Sequence, residues 1–152
     1  MLTTVHLVCG AAIGKATGYW WLTVPFSFIS HYILDALPHY NQKPVGGYLK
    51  GGFKGSNKRD LIFKSIEPII GVGIVGYLVM ISEIRVAPLI VLGAFFGWLP
   101  DLLVFIKWKY NIELRFKILE KIEQKFHKHT SFLLGSLLQL AILTLVLVYL
   151  FL

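Results

Sequence analysis

The sequence is short of charge and nearly empty of cysteine. Charged residues make up 15% of its 152 positions, and only 8 residues are acidic, where an ordinary soluble domain carries about 25% charged residues. The one cysteine, Cys9, lies in an apolar stretch with no second thiol to meet. That excludes an intrachain disulfide and a zinc ribbon and leaves Cys9 a packing role. No low-complexity tract, internal repeat or long hydrophilic segment interrupts the chain, so residues 1–152 read as a single domain. A basic leader region followed by a small-residue cleavage site is also missing, and His6 interrupts the first apolar run; the opening residues are expected to be mature structure.

What is present is apolar. Hydrophobic residues are 56% of the chain and the mean hydropathy is +0.68, the composition of an integral membrane protein. The formal charge of +7 and pI near 9.6 raise the question of nucleic acid. Yet the basic residues alternate with long apolar spans instead of lining a soluble face, so no nucleic-acid partner is expected and the charge reads as a topological signal. Six of the 15 basic residues fall between 43 and 64 and seven between 107 and 128. By the positive-inside rule both segments are cytoplasmic, and the turns near Lys15 and Arg85 lie outside.

The expected fold is all-α, an integral membrane bundle of about five membrane-embedded helices plus one amphipathic surface helix. Residues 2–17 predict a short helix whose Cys9, Gly10, Ala11, Ala12 and Gly14 permit close helix packing; it is too short to span comfortably alone. Residues 19–37 follow, opening on the interfacial aromatics Tyr19, Trp20 and Trp21. Residues 40–59 form a Gly- and Lys-rich loop whose spacing does not match a phosphate loop; a basic loop near anionic headgroups fits better. Helices over 60–82 and 86–108 come next. Residues 109–128 interleave apolar and charged side chains as an amphipathic surface helix does, and 130–152 span once, with Thr130 and Ser131 as N-cap candidates. Strict alternation then puts the N-terminus inside and the C-terminus outside.

The most unusual stretch is Phe28–Tyr40, which places His31, Asp35 and His39 inside or at the end of an apolar segment. On a helix His31 and Asp35 share a face, and Pro38 ends that helix so that His39 folds back towards the same point. Counting inward from the cytoplasmic ends at about 1.5 Å per residue, His6, Glu67 and Asp101 fall at a similar depth, with His127 and His129 just before the last span. Isolated charge in an apolar span is costly and faces a partner or a water-filled cavity. All these residues therefore converge on one candidate site in the cytoplasmic leaflet.

These segments also resemble known ones. His31-x3-Asp35-x2-Pro38-His39 is similar to a segment of zinc-dependent phospholipase C-like proteins. His6 near the start, Leu99-Pro100-Asp101 and His127-Lys128-His129-Thr130-Ser131 resemble the inner-membrane metal-dependent hydrolase family. Leu103 stands where that family has a second acid, and the histidine segment is compressed. The resemblance implies a multi-pass protein of a bacterial-type inner membrane.

Imidazole and carboxylate are the usual zinc ligands, and a catalytic site leaves a position open for water. The expected ligands are His6, His31, Asp35, Asp101 and His129, with His39 and His127 as second choices, holding one or two Zn2+ or other divalent transition-metal ions. Glu67 is a candidate general base or bridging ligand, and Asp101 a catalytic as well as a ligating group. Lys43, Lys50 and Lys54 would hold a phosphate or headgroup.

Plainer readings stand beside these: a packed His6, an i,i+4 hydrogen-bonded His31–Asp35 pair, an Asp101 that satisfies backbone freed by Pro100, a Glu67 paired with a lysine. Two function classes follow. One is a metal-dependent hydrolase of phosphoesters or phospholipids, with membrane lipids as partners. The other is a non-catalytic membrane protein, a metal or proton carrier or an assembly factor. The oligomeric state is not encoded in any feature of the sequence.

Overall fold

A computed structural model describes residues 2–38, 58–110 and 130–152, without the side chains of 58–65, 104–105, 107–110 and 132. Among the described residues there are five helices and no strand: α1 (Thr3–Thr17), α2 (Trp20–Ala36), α3 (Lys58–Ile81), α4 (Ala87–Tyr110) and α5 (Phe132–Phe151). Of the expected basic loop 40–59 and amphipathic segment 109–128, residues 40–57 and 111–128 lie outside the described residues, as do His39, His127, His129, Lys43, Lys50 and Lys54, while 58–59 open α3 and 109–110 close α4.

The helix limits follow from local chemistry. α1 stops at Gly18, whose φ of 66° closes the helix in the left-handed region that a residue without Cβ adopts freely. α2 stops at Leu37, held extended (φ −70°, ψ 147°) because the ring of Pro38 disfavours helical backbone in the residue before it. α5 starts at Ser131, whose hydroxyl accepts the Leu134 N–H at 3.4 Å. Such a bond satisfies one of the amides a helix start leaves unpaired.

α1 is the centre of the bundle and touches each of the other four helices. Its residues Thr4 to Ala12 are buried without a gap, as expected of a helix with neighbours on every side. Contact with α4 is made backbone to backbone. A Cβ on Gly10 would collide with the Gly93 carbonyl, one on Gly14 with the Leu89 carbonyl, and one on Gly97 would come within 2.6 Å of the His6 carbonyl. The small-residue stripe on α1 thus finds a matching stripe on α4, and the pairs 6–97, 10–93 and 14–89 make the two helices antiparallel.

Hydrogen bonds fix the remaining directions. Ser27 Oγ donates to the Gly10 carbonyl at 3.4 Å and Thr17 Oγ1 meets Thr23 Oγ1 at 2.7 Å, so α2 runs against α1. Leu2 N–H donates to Gln139 Oε1 at 3.0 Å and Lys15 Nζ to the Leu150 carbonyl at 2.8 Å, so α5 runs with it. The ammonium of Lys15 also stands 5.7 Å from the Tyr149 ring centre, close enough for a cation–π contact.

Val5, Val8, Ala11, Leu78 and Ile90 form the interior, each nearly inaccessible. The exterior is equally apolar: Ile69, Met80, Ile84, Leu133 and Leu145 are all 67–89% exposed. Only α5, over Leu133–Phe151, is long and apolar enough to cross a membrane among the described residues; Ile66–Ile81 and Ala87–Leu103 are apolar but shorter. The all-helical expectation is therefore met with five helices, and one of them has the dimensions of a span. At 15 residues, α1 measures about 22 Å, short of a hydrocarbon core of about 30 Å. Enclosure by four neighbours leaves it little exposed surface.

Candidate metal centre

Three helices bring four side chains to one point. α1 supplies His6, α2 supplies His31 and Asp35 one turn apart on a single face, and α4 supplies Asp101 just after Pro100. His6, His31 and Asp35 are buried, at 1%, 2% and 6% exposure. The Asp101 side chain keeps 36% of its surface open. Asp101 is thus the most open of the four side chains.

Asp35 divides its carboxylate between the two imidazoles, with Oδ1 at 3.2 Å from His6 Nε2 and Oδ2 at 3.3 Å from His31 Nε2. Asp101 Oδ1 stands 4.0 Å from His31 Nε2. Donor atoms of His6, His31 and Asp101 all lie within 4.8 Å of one another, so this group could hold a metal ion. The imidazole rings are stacked obliquely, with centroids 4.1 Å apart and planes inclined by 31°.

The orientation of His31 is set from the far side of its ring. Nδ1 lies 3.0 Å from the Gly97 carbonyl, and since a carbonyl only accepts, Nδ1 carries the proton and donates. In the neutral ring Nε2 is then a bare lone pair, and it faces two carboxylates. An imidazole held through one nitrogen by a backbone carbonyl, with the other nitrogen free, is the usual state of a metal-ligating histidine.

His6 gives the second sign. Among the described residues neither of its ring nitrogens has a well-aligned hydrogen-bond partner, although the ring is almost wholly enclosed. The Asp35 oxygen beside Nε2 has the distance of such a bond without its alignment. Leaving a buried polar atom unpaired costs about 1–3 kcal/mol. Imidazole nitrogen and carboxylate oxygen are the donor types a divalent transition-metal ion takes, and His6, His31 and Asp101 offer them close enough together that they could hold one.

Of the residues singled out from sequence, His6, His31, Asp35 and Asp101 are thus brought together. Glu67 is placed differently from a free base: its Oε1 accepts the Thr4 N–H, and its own carbonyl accepts Thr4 Oγ1–H at 2.7 Å. Two groups were not foreseen. One is the Gly97 carbonyl that orients His31, and the other is Thr4, which ties α1 to α3. The missing side chain of Gly97 was the available signal, because a helix that must approach another carbonyl-to-carbonyl places glycine there. Family models, curated proteins and solved structures provide no match to this chain.

Proposed function

We propose that the chain is a multi-pass membrane hydrolase, dependent on a divalent metal, that cleaves a phosphoester or phospholipid at the cytoplasmic leaflet. One observation carries this reading: two buried imidazoles and two carboxylates from three helices converge, with His31 oriented by a backbone carbonyl and His6 otherwise unpartnered. His6, His31 and Asp35 would hold the ion, and Asp101, on the open side, would complete the set. A zinc ion there supplies Lewis acidity towards a phosphoryl oxygen and makes water acidic enough to lose a proton near neutral pH.

The chain's own contributions are distinct. The Gly97 carbonyl keeps the proton of His31 on Nδ1, away from the ligating face. Asp35 neutralises charge between the two rings. Asp101, partly open and adjoining, would accept the proton of the attacking water, and the enclosed α1–α2 side would exclude further solvent. The apolar exterior and the exposed Tyr19, Trp20 and Trp21 at the opposite end of the bundle suit a protein embedded with its aromatic end at a membrane interface. With that end outside, the metal end is cytoplasmic, in a bacterial-type inner membrane. Lys43, Lys50 and Lys54 then follow α2 on the side where anionic headgroups lie.

The rival reading, a carrier, needs a polar path to the far end. α1 beyond His6, α2 before His31 and α4 before Asp101 contain no carboxylate or imidazole, and the lone ammonium among them, Lys15, is bonded to the Leu150 carbonyl. That favours the hydrolase. Elemental analysis of the detergent-purified protein is the test. Stoichiometric zinc or another transition metal is expected in the unaltered protein and lost in His31→Ala and Asp35→Ala; no metal in the unaltered protein refutes the reading. A panel of phosphodiester and phospholipid substrates then identifies the reaction, and activity that survives loss of His31 and Asp101 would show the site to be elsewhere.

A further inference from the structure

We propose that Glu67 is a positioning residue for His6, acting through the first turn of α1. The proposal rests on the metal centre described above and reassigns a carboxylate that the sequence offered as a base. α1 begins without a side-chain cap, since its N-cap residue is Leu2. Its opening amides therefore need acceptors from elsewhere. The Leu2 amide takes Gln139 Oε1 from α5 and the Thr4 amide takes Glu67 Oε1 from α3. Thr4 then returns a bond from its hydroxyl to the Glu67 carbonyl. The same residue of α3 thus holds Thr4 at two atoms, two positions before His6.

His6 depends on this clamp more than its partners depend on theirs. The His31 ring is anchored by the Gly97 carbonyl, whereas among the described residues neither nitrogen of the His6 ring makes a well-aligned hydrogen bond. Where His6 Nε2 stands relative to Asp35 is set by the α1 backbone and by packing. A clamp at Thr4 is the nearest polar restraint on that backbone, and α1 and α3 run parallel at this point, with Leu7 lying over Gly71 one turn further on. Glu67 needs only an acceptor oxygen for this work. A base would need its negative charge.

That difference makes the proposal testable by metal affinity, with cobalt(II) titrated into the metal-free, detergent-purified protein and the visible spectrum read as the report of ligand geometry. Glu67→Gln keeps Oε1 and is expected to bind within about threefold of the unaltered protein. Glu67→Ala removes the acceptor, and Thr4→Pro removes the donor at a first-turn position that accepts proline. Each is expected to weaken binding about 10–100-fold, the usual effect of losing a group that orients a ligand, and to give the spectrum of His6→Ala. Binding within threefold in both Glu67→Ala and Thr4→Pro overturns the proposal, and so does a Glu67→Gln as weak as Glu67→Ala. If the unaltered protein takes up neither cobalt nor zinc, the metal reading falls separately. The clamp is then read from amide exchange at Val5 to Leu7, which must quicken at least tenfold in Glu67→Ala and Thr4→Pro and not in Glu67→Gln.

Discussion

Asp35→Asn tests the centre most directly, because asparagine copies the shape of a side chain only 6% exposed and so leaves the packing in place. Structural zinc bound by four protein ligands is worth about 10–16 kcal/mol at neutral pH. With the four donors proposed above sharing the ion, each would account for about 2.5–4 kcal/mol, and 1.4 kcal/mol is tenfold in affinity. Losing the carboxylate that spans His6 and His31 at 3.2 and 3.3 Å should therefore weaken zinc binding roughly 100- to 1,000-fold. Thermal unfolding in detergent, followed across a zinc titration, reads this out. Zinc at 100 times the dissociation constant of the unaltered protein stabilises it by about 2.7 kcal/mol. For a chain of this size that is a rise of about 5–10 °C. Asp35→Asn at the same zinc concentration sits near or below its own dissociation constant and gains under about 0.5 kcal/mol, or 1–2 °C. An unchanged zinc-dependent rise in Asp35→Asn would mean that Asp35 is only a hydrogen-bonding neighbour of the two rings.

Other outcomes follow from packing. Gly10→Ala forces a methyl against the Gly93 carbonyl and should destabilise the bundle by about 1–3 kcal/mol; Gly73→Ala meets open space and should be neutral or stabilising by up to about 1 kcal/mol. The same thermal assay measures both, and equal effects would refute the close α1–α4 approach. Lys15→Met removes the bond to the Leu150 carbonyl and the contact with Tyr149. A loss of about 1 kcal/mol is expected, with zinc affinity unchanged because Lys15 lies at the other end of α1. Ser131→Ala should cost about 0.5–1 kcal/mol as a lost helix cap, seen as faster amide exchange at Leu134.

The helices were legible because their punctuation is local. Pro38 stops α2 and Gly18 stops α1 by rules that need no knowledge of the rest of the chain. The convergence of His6, His31, Asp35 and Asp101 was also legible, since charge asymmetry orders the helix directions and equal depth then follows by counting. Pairings across helices were not. Gly97 marks a close approach to α1, but that its carbonyl is offered to His31 depends on how closely α4 approaches α2. Glu67 was recognisable as an acid in need of a partner, but the partner is a backbone amide, and every residue except proline has one. The single-residue signal that marks an unusual side chain is silent when the other half of the bond is main chain.

The bond between Leu2 and Gln139 joins positions 137 residues apart, and it gives the molecule an order of assembly. α1 is made before the four helices that wall it in, α5 being the last of these in chain order. His6 meets Asp101 only once α4 has been made, and the Leu2 amide meets Gln139 only once α5 has been made. A truncated product that stops before α5 would carry His6, His31, Asp35 and Asp101 and still lack the wall and the amide partner that α5 supplies to α1.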